Sequence, residues 1–375
     1  MIYLDNAATT GRKPPEVLRA VNLALQNYSA NPGRSGHKAS QDAAAAVFRV
    51  REELSNFFGS EGAETVVFTQ NCTQSINTVL KGVLQKGDHV VVSSLEHNAV
   101  MRPLYKMGVS FTAAHVDFDE EKTLENIEEC IRPNTRMVFC TGASNVLGTL
   151  LPIEKIGQLC QRRGILFGVD AAQTAGVVPI DMKRDGIDYL CIAPHKGLYA
   201  PMGVGVLIAR KPILNTLIEG GTGTESLSLK QPLDLPERLE SGTVAVPAIM
   251  GIGAGLGFVK TLGIEKIRRH ETALLQGFYD GLEKNEQVKL YTPRPDLHLC
   301  VPVLSFTVNG FSSGEVAEVF SRNGVAVRAG FHCAPTAHRQ IGTEEEGTVR
   351  VSPAVFNRSY EMEKVLNLLK NMKKI

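Results

Sequence analysis

An aspartate and a lysine, each at the end of a short apolar run, are the first residues in this chain that could do chemistry together. Ile165–Val169 leads into Asp170, with Ala171, Ala172 and Gln173 behind it; Tyr189–Ile192 leads into Ala193, Pro194, His195 and Lys196. One crossover and one strand separate the two, enough to bring carboxylate and amine to the same edge of a parallel sheet. There the amine could hold a carbonyl compound covalently, while the acid keeps a ring nitrogen protonated so that the ring draws electrons. An ordinary ion pair satisfies the spacing as well. A third segment, QNCTQSIN, follows Thr69, and its Asn71, Cys72 and Thr73 would open a helix. Free amides and the positive end of the helix dipole favour an anion there, with simple N-capping as the plainer reading.

The second candidate chemistry is that of a thiol. The seven cysteines are scattered without CxxC spacing, which fits neither a disulfide framework nor a zinc site, and no metal is expected. Cys140, Cys160 and Cys191 lie in apolar stretches and read as small buried hydrophobes. Cys333 differs. In RAGFHCAP it follows His332, the predicted strand Val325–Arg328 breaks at Gly330, and Pro335 can begin a turn or short helix. That is the design of an exposed loop, and a neighbouring cation or helix N-terminus would raise the thiolate fraction of a cysteine whose ordinary pKa is about 8.5.

These groups need a scaffold, and the hydrophobic periodicity supplies one. From about Pro14 to Ala209, short apolar runs alternate with helical segments, the pattern of a parallel sheet covered by helices. Predicted strands are Thr65–Thr69, His89–Ser93, Arg136–Thr141, Ile165–Val169, Tyr189–Ile192 and Val204–Ala209. The longest helix, Lys38 to Phe58, should stop at Gly59. After the glycine-rich loop GGTGTESLSLKQP and a helical stretch from Val246 to Lys260, a second lobe is expected. It reads as helix Ile264–Lys284, strands Val288–Tyr291 and Val303–Val308, helix Ser313–Arg322, strands Val325–Arg328 and Gly347–Ser352, and helix Tyr360–Lys373. The fold class is α/β: a large domain (14–255) on a mostly parallel central sheet, and a smaller α+β domain (1–13 and 256–375). The 375 residues carry a formal net charge of only +1, so no nucleic acid or membrane partner is indicated, and a small molecule is. The start shows no basic and apolar leader, and a cytoplasmic setting is expected.

The ordered set YLDNAATT, NPGRSGH, TQNCTQSIN, SLEHNAVMRP, SNVLGT, VDAAQTAG, HKGLYAPMGVG, RLESGT and RAGFHCAP resembles the class V aminotransferase-like enzymes dependent on pyridoxal 5'-phosphate, and within them the cysteine desulfurases and selenocysteine lyases. The likeness spans nearly the whole chain. It implies the fold type I of pyridoxal-phosphate (PLP) aminotransferases, a homodimer, and these roles. Lys196 would hold the cofactor, Asp170 would pair with the pyridine nitrogen and His97 would stack on the ring. Gln173 and Asn145 would be near the ring hydroxyl, with Asn145 also near the substrate, and Cys72, Thr73 and His195 would serve the phosphate. Thr243 would reach the phosphate of the neighbouring subunit. Arg350, a planar bidentate donor, would fix the substrate carboxylate, with a structural salt bridge as its alternative role. Arg34 and His37 match residues near the site.

Two departures stand out. Many relatives bind phosphate with serine or threonine where this chain has Ala193, and desulfurases of the RxGHHCA type often have histidine where it has Phe331. The implied reaction converts L-cysteine to L-alanine, with Lys196 as base, His97 as acid/base and Cys333 taking the sulfur as a persulfide for a sulfur-acceptor protein. Selenocysteine is the alternative substrate. Other readings are a transaminase or another PLP lyase of class V, and a non-catalytic scaffold for a sulfur-transfer partner.

Overall fold

The computed structural model describes residues 1–33 and 35–372. The strand β1 (Ile2–Tyr3) precedes helices α1 (Pro15–Asn27) and α2 (Lys38–Phe58), then β2 (Val66–Thr69), α3 (Cys72–Val83), β3 (His89–Ser93), α4 (Asn98–Met107) and β4 (Ser110–Ala114). Next come α5 (Glu120–Glu129), β5 (Thr135–Thr141), α6 (Ile153–Arg163), β6 (Leu166–Asp170), β7 (Tyr189–Ile192), β8 (Gly205–Ala209) and α7 (Val246–Leu262). The α2 boundaries match the sequence pattern, and Gly59 ends that helix at φ 63°, the left-handed cap that glycine adopts without strain.

Seven of these strands form one sheet in the order β2-β8-β7-β6-β5-β3-β4. Only β8 runs against its neighbours, so β2, β3, β5, β6 and β7 all point their C-terminal ends to the same edge. β6 and β7 lie within the sheet and are almost wholly buried, which is why they read as continuous apolar runs. The edge strand β4 was not expected from the sequence. Only Ala114 of its residues Ser110–Ala114 is buried, so an edge position leaves no apolar run to find.

The second lobe continues with α8 (Ile264–Leu282), β9 (Val288–Leu290), β10 (Leu304–Val308), α9 (Ser313–Arg322), β11 (Val325–Ala326), β12 (Arg328–Gly330), α10 (Pro335–Ile341), β13 (Thr348–Val351) and α11 (Ser359–Lys370). An antiparallel sheet, β12-β13-β10-β9, packs its Leu304, Phe306, Val349 and Val351 against Leu275 and Phe278 of α8, Phe320 of α9 and Val365 of α11. The single strand expected over Val325–Arg328 is two. β11 pairs in parallel with β1 at the N-terminus, and β12 joins β13, because the chain must leave one sheet and enter another before the Cys333 loop. α10 begins at Pro335, whose missing N–H is harmless at a helix start.

One buried ion pair fixes the RLESGT segment. Arg51 of α2 meets Glu240 at Nη1–Oε1 2.7 Å and Nη2–Oε2 2.5 Å, while its guanidinium also donates to the Val66 carbonyl and lies 4.6 Å from the Phe68 ring centre. Glu240 accepts from the Phe68 amide too, so the segment carrying Thr243 is tied to edge strand β2. Glu240→Ala leaves a desolvated guanidinium without its partner, and urea unfolding is expected to show a loss of about 3 kcal/mol.

Candidate active site

The aligned strand ends deliver the predicted residues to one place. Cys72 and Thr73 follow β2, His97 follows β3, Asn145 follows β5, Asp170 ends β6, and His195 and Lys196 follow β7. With Gln173 and, from β13 of the second lobe, Arg350, they line a cavity of about 220 Å³. Gly205 permits this arrangement. A Cβ there would stand 2.3 Å from the Asn71 carbonyl carbon, so only glycine lets β8 pass beneath the start of α3.

Each wall has its own electrostatics. Burial pulls the Lys196 amine below its ordinary range; Asp170 opposes this, and Arg350 and Arg328 reinforce it. A lysine with a readily lost proton suits covalent attachment and proton abstraction. Asp170 accepts from the Ala172 amide at 2.9 Å and from the Cys72 thiol at 3.7 Å, leaving acceptor capacity free. His97 caps α4, and its Nδ1 accepts from the Ala99 amide at 3.0 Å, so a neutral ring carries its proton on Nε2. Burial lowers its pKa, with Asp170 acting the other way.

The opening of α3 suits an anion. Asn71 accepts from Gln74 at 2.9 Å, and the next residues, Cys72 and Thr73, line the cavity at the end where helical amides lack intrahelical acceptors. His195 adds a ring whose Nδ1 is buried without a hydrogen-bond partner among the described residues, and burial pushes it down to about 4. Its carbonyl is held by the Thr10 amide and hydroxyl (both 3.1 Å), the Thr9 hydroxyl (3.2 Å) and Lys13 Nζ (3.0 Å). The N-terminal motif therefore grips the residue next to Lys196. The same motif supplies the Ala7 carbonyl to Gln173 (3.0 Å) and Asp5 to Arg350 (2.7 Å). An amine, a carboxylate, a neutral imidazole and an anion cradle are the donor set that a phosphorylated carbonyl cofactor with a protonated ring requires.

Cys333 stands outside the cavity, exposed, in a turn where His332 (φ 48°) and Cys333 (φ 58°) are both left-handed. Each such conformation costs a side-chain-bearing residue about 1–2 kcal/mol, so the turn must be held. Asn145 Nδ2 donates to the His332 carbonyl and the Asn98 amide to the Cys333 carbonyl, both at 2.7 Å. Asn145 also offers its own carbonyl to Arg350 at 2.9 Å. The thiol turn, the asparagine and the arginine are thus one connected unit.

The family model for class V aminotransferases matches residues 2–365. The chain belongs to this family. A probable cysteine desulfurase of Pyrococcus abyssi is 31% identical over all of this chain and 94% of its own, and one from Synechocystis is 30% identical over 98% and 90%. Among solved structures, the apo cysteine desulfurase of Thermococcus onnurineus NA1 superposes with a TM-score of 0.90 at 31% identity, covering 98% of this chain and 94% of its own. The Escherichia coli cysteine desulfurase CsdA, in an S-sulfonic acid form, gives 0.86 at 25% identity, over 98% and 93%.

Not every expected residue of this class V family member lies at the cavity. Thr243 is exposed and receives a 3.3 Å hydrogen bond from Asn31 on a separate surface. His37 caps α2, accepting from the Ser40 amide at 3.3 Å. Arg34 lies outside the described residues. Ala193 does line the cavity, and with a methyl side chain it offers no hydrogen bond. Phe331 is half exposed and packs edge-on against His338, with ring centres 5.6 Å apart.

The sequence reading had passed over Arg328, which lines the cavity and places Nη2 4.0 Å from the Cys333 sulfur. Its only signal was its place at the head of RAGFHCAP. His332 also lines the cavity, bonded to Thr348 Oγ1 at 3.1 Å, and burial pushes it down to about 2, with Arg350, His338 and Arg328 reinforcing that. It stays neutral, so it is no proton donor to the sulfur at ordinary pH. Cys140, Cys160 and Cys191 are buried, as their apolar surroundings suggested.

Proposed function

We propose that this protein is a pyridoxal 5'-phosphate-dependent cysteine desulfurase that turns L-cysteine into L-alanine and leaves the sulfur as a persulfide on Cys333. The observation carrying this reading is the exposed, strained Cys333 turn hydrogen-bonded to Asn98 and Asn145 at the mouth of the Lys196 cavity. The likeness to named cysteine desulfurases over nearly the whole chain supports it.

Lys196 would hold the cofactor, Asp170 its ring nitrogen, His97 its ring face, and Cys72, Thr73 and His195 its phosphate. Bound there, the cofactor supplies an electron sink for charge developing on the substrate's α-carbon. Arg350, oriented by Asp5 and the Asn145 carbonyl, receives the substrate carboxylate. Lys196 Nζ, whose pKa burial lowers, takes the α-proton. The Cys333 thiolate attacks the substrate sulfur: the S–S bond forms, the carbon–sulfur bond breaks and its electron pair stays with carbon. His97 Nε2 is placed to manage the proton that this carbon gains. Arg328 Nη2 lies 4.0 Å from the Cys333 sulfur, beside the attacking atom.

The exposed thiol suits delivery to a sulfur-acceptor protein. A homodimer belongs to the same proposal, since Thr243 faces away from the cavity of its own chain, and so does a cytoplasmic setting, which the seven unpaired cysteines support.

The test loads purified protein with the cofactor and supplies L-cysteine with dithiothreitol. Alanine and sulfide are expected in equal amounts. Amino transfer to an oxo acid without sulfide would refute the reading in favour of a transaminase. A turnover on selenocysteine that dwarfs a negligible one on cysteine would reassign the substrate.

A further inference from the structure

Glu96 is a fully buried acid that the chemistry above leaves unused. It lies one residue before His97. Its Oε1 accepts from the amide (3.3 Å) and hydroxyl of Ser93 and from the amide of Thr141 (2.8 Å). The Ser93 donors close the turn between β3 and α4 on itself, and the Thr141 donor reaches across to β5. Thr141 is paired with Asp170 in the β5–β6 ladder and lines the Lys196 cavity. One carboxyl group therefore connects the turn that presents His97 to the strand pair that presents Asp170.

Burial penalises a charge on Glu96, while the three donors on its Oε1 favour one. Oε2 is buried with no hydrogen-bond partner among the described residues, and among them no cationic side chain pairs with it. The titratable side chains facing it are Asp170 from β6 and Cys140 from β5, each neutral or negative, so neither offsets a charge on Glu96. Burying an anion with no cationic partner costs far more than burying a protonated acid. Burial lifts the group to about 8, opposed by the bonds from Ser93 and Thr141 and assisted by Asp170.

We propose that Glu96 is a positioning residue: by accepting from Ser93 and Thr141 its carboxyl group holds the His97 turn in register with Asp170. The proposal rests on the reading that His97 and Asp170 serve one bound group, but its first test does not need that group. Protein labelled with ¹⁵N-histidine is titrated without cofactor from about pH 6.5 to about pH 9.5, with His97 assigned through His97→Gln. His97 itself titrates below this window, because burial lowers it.

In wild type the His97 ring signals are expected to move with a midpoint near pH 8. In Glu96→Gln, which keeps the oxygen that accepts three bonds and cannot ionise, they should hold their neutral-pH positions throughout. Glu96→Ala should show displaced signals across the range. A Glu96→Ala whose His97 signals match wild type, or a Glu96→Gln displaced as far as Glu96→Ala at neutral pH, would overturn the proposal. Failure to bind cofactor would speak against the proposed function while leaving the free-protein titration to decide this one.

Discussion

Protein carrying Cys333→Ala is expected to bind the cofactor with unchanged absorbance while sulfide and alanine production from L-cysteine falls on the order of 10³-fold or more. The sulfur of the substrate has to be taken by a nucleophile at the cavity mouth, and Cys333 is the exposed thiol there. Cys72, the other thiol at the cavity, cannot substitute for it. It is half-buried against Asp170, and burial pushes its pKa well up, so it offers little thiolate. Because Cys333 does not line the cavity, the substitution leaves the walls that would hold the cofactor in place, and loss of absorbance in this variant would instead mean that the turn supports the cavity. Sulfide release at the wild-type rate would remove Cys333 from the mechanism altogether.

The second large effect belongs to Lys196. Lys196→Ala removes both the covalent anchor of the cofactor and the proposed base, and a base of this kind alone contributes ~10²–10⁴-fold. Turnover should drop below detection, and the cofactor should wash out on gel filtration. Added methylamine would restore a base without restoring the anchor, so partial recovery of alanine formation is expected with it. The structure gives the reason to expect so steep a loss. Among the described residues, the only lysine at the cavity is Lys196, and the titratable groups nearest to it in influence, Asp170, Arg350 and Cys72, are an acid, a permanently charged cation and a thiol with a raised pKa. Retention of proton abstraction in this variant, read as exchange of the substrate's α-hydrogen with deuterated solvent, would show that another group is the base.

Much of this was legible because the chemistry sits at strand ends. Tyr189–Ile192 and Leu166–Asp170 are short and wholly or largely buried, so the first was read at its observed bounds and the second, expected over Ile165–Val169, one residue early. Helix α2 was legible for a similar reason, since its buried Ala43, Ala46, Val47, Val50 and Leu54 recur at helical spacing and Gly59 stops it. Where burial is slight or an element spans two sheets, the pattern fades. That is why β4 went unseen and Val325–Arg328 was read as one strand where the chain makes two.

By itself, the sequence determined the α/β alternation, the strand-end placement of Asp170, His195 and Lys196, and the motif order that marks the family. All of these depend on contacts between residues near in the chain or on a local period of burial. Tertiary structure alone decided what holds the groups. Asp5 and Arg350 meet across 345 residues of sequence, Asn145 reaches the Cys333 turn across 187, and Thr9, Thr10 and Lys13 close on the His195 carbonyl. No local pattern encodes those pairings. A hydrogen bond between distant residues depends on how two lobes pack, and a left-handed Cys333 turn persists only because that packing brings Asn98 and Asn145 against its carbonyls.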